Sequence, residues 1–185
     1  GTEWKSATTL DWYVLEYPLH QGMQQLVKDL NRLYHGSPEL HHYEFEWQGF
    51  SWIDCHDAEQ SILSYLRKKD DDFLVVLVNF TPVPRHGYRI GVPRAGRYTE
   101  VLNSDSHFYG GSGVGNGGVD LIAEERPWMD LPYSITITAP PLGGLVLRPD
   151  PLPPKPVLLE AEAVITEDLA TLTAEEAEEV LAQPE

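Results

Sequence analysis

The chain has 185 residues, 42% hydrophobic and 10% aromatic, enough to bury a core in one domain that carries an appendage. Thirteen basic residues against 29 acidic ones give a net charge of −16, a sign that repels phosphate backbones and anionic lipid and argues against nucleic acid and membrane as partners. No stretch reaches the roughly 18 to 20 apolar residues of a membrane span, and a single cysteine, Cys55, fits a reducing, cytoplasmic setting.

In chain order, the first feature is an opening without an initiator Met, Gly1-Thr2-Glu3-Trp4, and the chain reads as a piece of something larger or a processed product. A helix comes next. Pro18 suits its first turn, where a missing N–H costs nothing, and Gly36 followed by Pro38 stops it. Leu19, Met23, Leu26, Val27, Leu30, Leu33 and Tyr34 recur at steps of three and four and make one apolar stripe. Such a stripe needs something to cover it.

From about Tyr43 the period turns to two. Ser61–Arg67 and Phe73–Phe80 read as a hairpin around the charged turn Lys68–Asp72, and the second of these strands, apolar on both faces, belongs at the centre of a sheet. Arg97–Leu102, Tyr133–Ala139 and Gly144–Arg148 follow as strands, with Ile135 and Ile137 on one face of the second and Ser134, Thr136 and Thr138 on a wet one. Seven or eight short strands punctuated by proline predict an antiparallel β-sandwich. The run Pro149-Asp150-Pro151-Leu152-Pro153-Pro154-Lys155-Pro156 opens a semi-rigid spacer. From Asp150 onward ten acids face one lysine, nine of the sixteen net negative charges. Thr173 and Glu176 read as a capping box for a short helix, about 174 to 182, in a weakly ordered acidic tail.

Motifs for chemistry are few. Asp54, Asp57 and Glu59 read as solvated acids at a strand end and turn, not as the carboxyl pair that glycoside cleavage needs. Cys55 and His56 are adjacent, so on a strand they would point to opposite faces, and no metal or cofactor is expected. The string Gly113-Val114-Gly115-Asn116-Gly117-Gly118 fits a dinucleotide fingerprint only as letters, because no strand precedes it and no helix opens after it. It reads instead as a long ordered loop whose glycines supply positive φ. Trp4, Trp12, Tyr13 and Tyr17 crowd the N-terminal edge, and Phe45, Trp47, Phe50 and Trp52 sit near the first strands. Taken singly, each ring reads as a core or staple residue; the N-terminal group, lying in irregular chain, is the better candidate for a sugar platform.

Several of these segments resemble a known family. Glu3-Trp4, Leu10-Asp11-Trp12, Asp29–Tyr34, Phe50–Ile53, Asn79–Val83, Tyr88–Pro93, Leu102–Asp105 and Tyr109–Asn116 are similar to the C-terminal part of bacterial α-1,4-glucan (glycogen) branching enzymes of the α-amylase clan. The resemblance covers about residues 1 to 149. It implies three parts: 1–39 as the terminal segment of a catalytic β/α barrel, 40–149 as a C-terminal all-β sandwich, and 150–185 as linker and acidic tail. It also implies an enzyme that cuts α-1,4-glucan and transfers the piece to a 6-hydroxyl of glycogen, through an aspartate nucleophile and a glutamate acid/base. Those acids belong to upstream barrel segments that this sequence does not contain, so the piece itself should be inactive and stabilise the barrel. Trp4, Asp11 and Trp12 are the residues that the resemblance brings nearest to bound glucan. The alternatives are a non-catalytic glucan-binding sandwich, with Trp47, Trp52 or Trp128 as platforms, and the terminal domain of another member of the clan.

Overall fold

Helix α1 (Pro18–Gly36) begins on its proline, and Tyr17 before it is extended, so the chain enters the first turn without an N–H to lose. This computed structural model describes residue 7 and residues 9–152; the chain divides after Pro151 into two units, and the helix and strands described here belong to the first. Trp4 and the expected tail helix lie outside the described residues. A short 3-10 turn, Trp12–Glu16, leads into α1, and a second, Pro38–Leu40, leaves it.

Among the described residues eight strands come after the helix: β1 (Phe50–Asp54), β2 (Ile62–Lys69), β3 (Asp72–Asn79), β4 (Arg85–Val92), β5 (Arg97–Asn103), β6 (Leu121–Ile122), β7 (Tyr133–Ala139) and β8 (Gly144–Pro149). Six form one sheet in the order β1-β2-β3-β8-β5-β6, and β4 pairs with β7 in a second, every pairing antiparallel. Alternation decides what lies between them. Leu66, Val75, Leu77, Leu145 and Leu147 from the large sheet meet Ile90, Val92, Ile135 and Ile137 from the small one in a single buried cluster. The result is the mainly β, antiparallel sandwich that the strand pattern predicts. β3 has a strand on each side, and its other face is buried as well: Leu74 and Val76 join Leu102 and Val146 in a smaller cluster against which Leu33 of α1 and Leu40 pack.

Four local expectations are corrected. The strand period does not begin at Tyr43: residues 41–45 form a turn and Trp47–Gly49 a 3-10 turn, so β1 starts only at Phe50. The hairpin turn is shorter than Lys68–Asp72, because Lys69 pairs with Asp72 and only Asp70 and Asp71 lie between them; Asp70 takes φ 52, the left-handed value that a two-residue turn requires and Asp tolerates. Cys55 follows β1 in a bend, so it does not oppose His56 across a strand; its Sγ lies 3.8 Å from both ring nitrogens of His56. Ser134 is not on a wet face either, since residue 124 bridges to it and Arg89 donates to its Oγ at 2.8 Å.

Candidate functional site

The unusual surface is that of α1. The helix meets the rest of the unit along a flank of Gly22, Gln25, Leu26, Asp29 and Leu33, only two of which are apolar. Leu26 and Leu33 of the apolar stripe lie on that flank, and its other five members face out: Leu19 is 69% exposed and Met23 60%, with Val27, Leu30 and Tyr34 exposed beyond them. Burying one such side chain is worth about 1.5–3 kcal/mol, so a row of five left in water is a face that lacks its cover. The 3-10 turn before the helix extends it with Trp12, Tyr13 and Tyr17, all exposed. On the other side Phe108 is 86% exposed, and a groove of about 650 Å³ runs between it and Leu15, Leu19 and Gly22.

The sequence-derived candidates fall at one end of this face. Asp11 precedes the 3-10 turn and makes no side-chain capping bond; its carbonyl accepts from the Val14 amide at 3.0 Å. Trp12 follows with its ring in solvent. The chain therefore brings Asp11 and Trp12 side by side on the surface, and Trp4 is not among the described residues.

Carboxylates elsewhere are occupied with holding loops. Asp57 accepts from Tyr88 Oη at 2.8 Å and from the Gln60 amide at 3.0 Å, and together with burial this bond pushes the Tyr88 phenol well above its ordinary range. Asp54 accepts from the His56 amide at 2.8 Å. Asp29 takes Gln25, Tyr109 and Arg32, and the Gln25 and Tyr109 hydrogen bonds hold its carboxyl below the ordinary 3.8. That direction is wrong for a general acid, which needs its proton near neutral pH. Among the described residues no group of three or more His, Cys, Asp or Glu is placed to hold a metal ion.

A second exposed surface lies on the edge of the large sheet. Trp52 pairs with Tyr65 across β1 and β2, and Phe50 stands edge-on to Trp52 with ring centroids 4.9 Å apart and 5.3 Å from Tyr65. Trp47 beside them is 87% exposed and Phe45 97%. The core reading fails for Phe45 and Trp47, which stand in the turns of residues 41–49 before β1 and are exposed. Trp128 lies elsewhere, its carbonyl against Gly91 of β4 and Arg126 over its ring.

The strands define an all-β antiparallel sandwich domain. Residues 52–150, more than half of the chain, match the family "Alpha amylase, C-terminal all-beta domain", and the chain belongs to it. Among curated relatives, it is 57% identical over 148 residues to a 1,4-alpha-glucan branching enzyme GlgB of Nitrosococcus oceani, covering 80% of this chain and 20% of that protein. The enzymes of the same name from Thiobacillus denitrificans and Cellvibrio japonicus are 56% and 54% identical, again with 80% of this chain and 20% of theirs aligned. The chain thus spans about a fifth of the length of the relatives that it matches.

Proposed function

We propose that this chain is the C-terminal portion of a 1,4-α-glucan branching enzyme, an enzyme that cleaves α-1,4-glucan and transfers the piece to a 6-hydroxyl of glycogen. In this reading residues 1–39 end the catalytic barrel, 40–149 are the sandwich and 150–185 a linker and acidic tail. The observation that carries it is the outward stripe of α1. A helix whose apolar side faces away from its own sandwich has its main packing partner elsewhere, and a barrel wall is that partner. The likeness to much longer branching enzymes supports the same reading. The working acids then lie upstream, and the chain alone is silent; its task is to close and steady the barrel in the cytoplasm. Trp4, Asp11 and Trp12 are the residues this reading assigns to contact with the glucan, since barrel enzymes build their sites at one end of the barrel. Iodine absorbance on amylose tests this: the pure chain leaves the stain unchanged, the full-length enzyme lowers it, and branching by the chain alone overturns the assignment of the acids.

A second reading has its own observation. Flat apolar sugar faces stack on aromatic rings, and the exposed rings of Phe50 and Trp52, backed by half-buried Tyr65 and with Trp47 beside them, give the sandwich a glucan-holding surface. Electrophoresis of the chain in glycogen gels decides. Retardation that Trp52→Ala abolishes supports it, and mobility equal to that in a plain gel refutes it.

A further inference from the structure

The glycine-rich stretch is tied on three sides. Toward the large sheet, Asn103 Nδ2 donates to the Val114 carbonyl at 2.9 Å, and Glu100 accepts from the Asn116 amide at 2.7 Å. Toward the small sheet, Asn116 accepts from the Thr138 amide at 2.7 Å and donates to its carbonyl at 3.0 Å. Within the loop, the Asp105 carboxylate accepts from Ser112 N at 2.9 Å and from Val114 N at 3.3 Å. The third side is the helix. Tyr109 Oη donates to Asp29 at 3.0 Å, and the Tyr109 carbonyl occupies the space where a Cβ on Gly22 would stand. Gly110, at φ +85, lets the loop turn away beneath Leu19. At the far end of α1, Arg148 donates to Ser37 Oγ and Arg67 to the Leu40 carbonyl.

These contacts differ in kind from the packing of a core. Hydrophobic burial is non-directional, and along this flank only Leu26 and Leu33 could supply it. Hydrogen bonds are directional, and a backbone-to-backbone approach at a glycine fixes a distance with no side chain free to adjust. A mid-helix glycine costs about 1 kcal/mol relative to alanine, yet alanine here would collide with Tyr109. The interface is built to set an angle rather than to bury area.

We propose that loop 103–116 is a rigid joint through which the sandwich fixes the orientation of α1, and with it whatever packs on the helix's apolar face, with Tyr109 as the positioning residue. The first half stands on this chain alone. The second rests on the branching-enzyme reading, in which the occupant of that face is the catalytic barrel.

Amide hydrogen exchange on this chain tests the first half. Tyr109→Phe and Asp29→Ala each quicken exchange in peptides from 18–36, the first by about three- to tenfold, the worth of one hydrogen bond; Asp29→Ala also loses Gln25 and Arg32 and does so by more. The double variant does not exceed Asp29→Ala alone, because Tyr109→Phe then has no bond left to remove, and peptides from β2, β3 and β8 keep their rates. Gly22→Ala loosens the helix further; should it not fold, the Tyr109 and Asp29 pair still decides. Unchanged helix exchange in Tyr109→Phe, or a rise spread evenly over the strands, overturns the joint. In the full-length enzyme Tyr109→Phe then lowers kcat on amylose with KM unchanged, and an unaltered kcat overturns the positioning role. A wild-type full-length protein without branching activity would instead sink the function proposed above and leave the joint standing.

Discussion

Strand β3 and helix α1 are both rich in apolar residues, and the fold treats them oppositely. β3 has neighbours on both edges and both faces, so Leu74, Val75 and Leu77 are wholly buried. α1 has a neighbour on one flank, and that flank is the less apolar part of its circumference. The sandwich is therefore complete without the helix's stripe, whereas the stripe is incomplete with only the sandwich. Amphipathic pattern alone says that a helix must be covered; the geometry of its contacts says whether the cover is present.

The sharpest way to test that contrast is to shorten one side chain in each element. Leu77→Ala should cost this chain about 2–5 kcal/mol in urea unfolding, the range for a filled core position. Val27→Ala should stay within about 0.5 kcal/mol, as for a surface site. A helix variant as costly as the core one would mean that the stripe is already covered.

A smaller loss is expected at Asn116. It is buried and bonds to Glu100 and to both backbone groups of Thr138, so Asn116→Ala leaves polar groups unpaired in the interior and costs about 1–3 kcal/mol by the same denaturant measurement. A cost near zero would show that the loop is not tied to the small sheet.

Alkali separates the two regions more gently. Burial pushes the Tyr98 phenol up to about 12 from an ordinary 10.0, and burial with the Asp57 bond raises Tyr88 as well. A phenol raised in the folded state contributes its stability fully below pH 10, and that contribution fades as the pH climbs from 10 toward 12. The two core phenolates should appear only with the loss of the sandwich's circular dichroism. Phenolate absorbance developing in one step, ahead of any unfolding, would contradict the burial of Tyr88 and Tyr98.

Much of this is legible in the residues. Pro18 and Gly36 bound the helix where the structure bounds it, and the two-sided apolar run of β3 identifies the centre of the sheet. β4 does not announce itself as a strand: its Tyr88, Ile90 and Val92 alternate correctly, but Gly87 and Gly91 and the flanking prolines resemble loop chemistry. Gly91 is there because the Trp128 backbone presses against it, a long-range reason that no local pattern contains. The stripe of α1 is visible in the sequence, but which flank meets the sheet is not, since that depends on Tyr109, far along the chain. The one local trace of that contact is Gly22, a helix-breaking residue in an otherwise sound helix, and a glycine in that place signals a close approach. The exposure of Phe45 and Trp47 escapes the sequence because an alternating pattern continues on paper through what the chain makes into turns.

The two methionines of the chain offer the most direct measurement of the central claim. Met23 lies in the open stripe, and Met129 packs partly buried against the sandwich core. Peroxide oxidation follows exposure and is read peptide by peptide in a mass spectrometer. With the chain alone, Met23 should oxidise faster than Met129; in the full-length enzyme the order should reverse, with Met23 sealed against the barrel. Met23 oxidising equally fast in both forms would contradict the account.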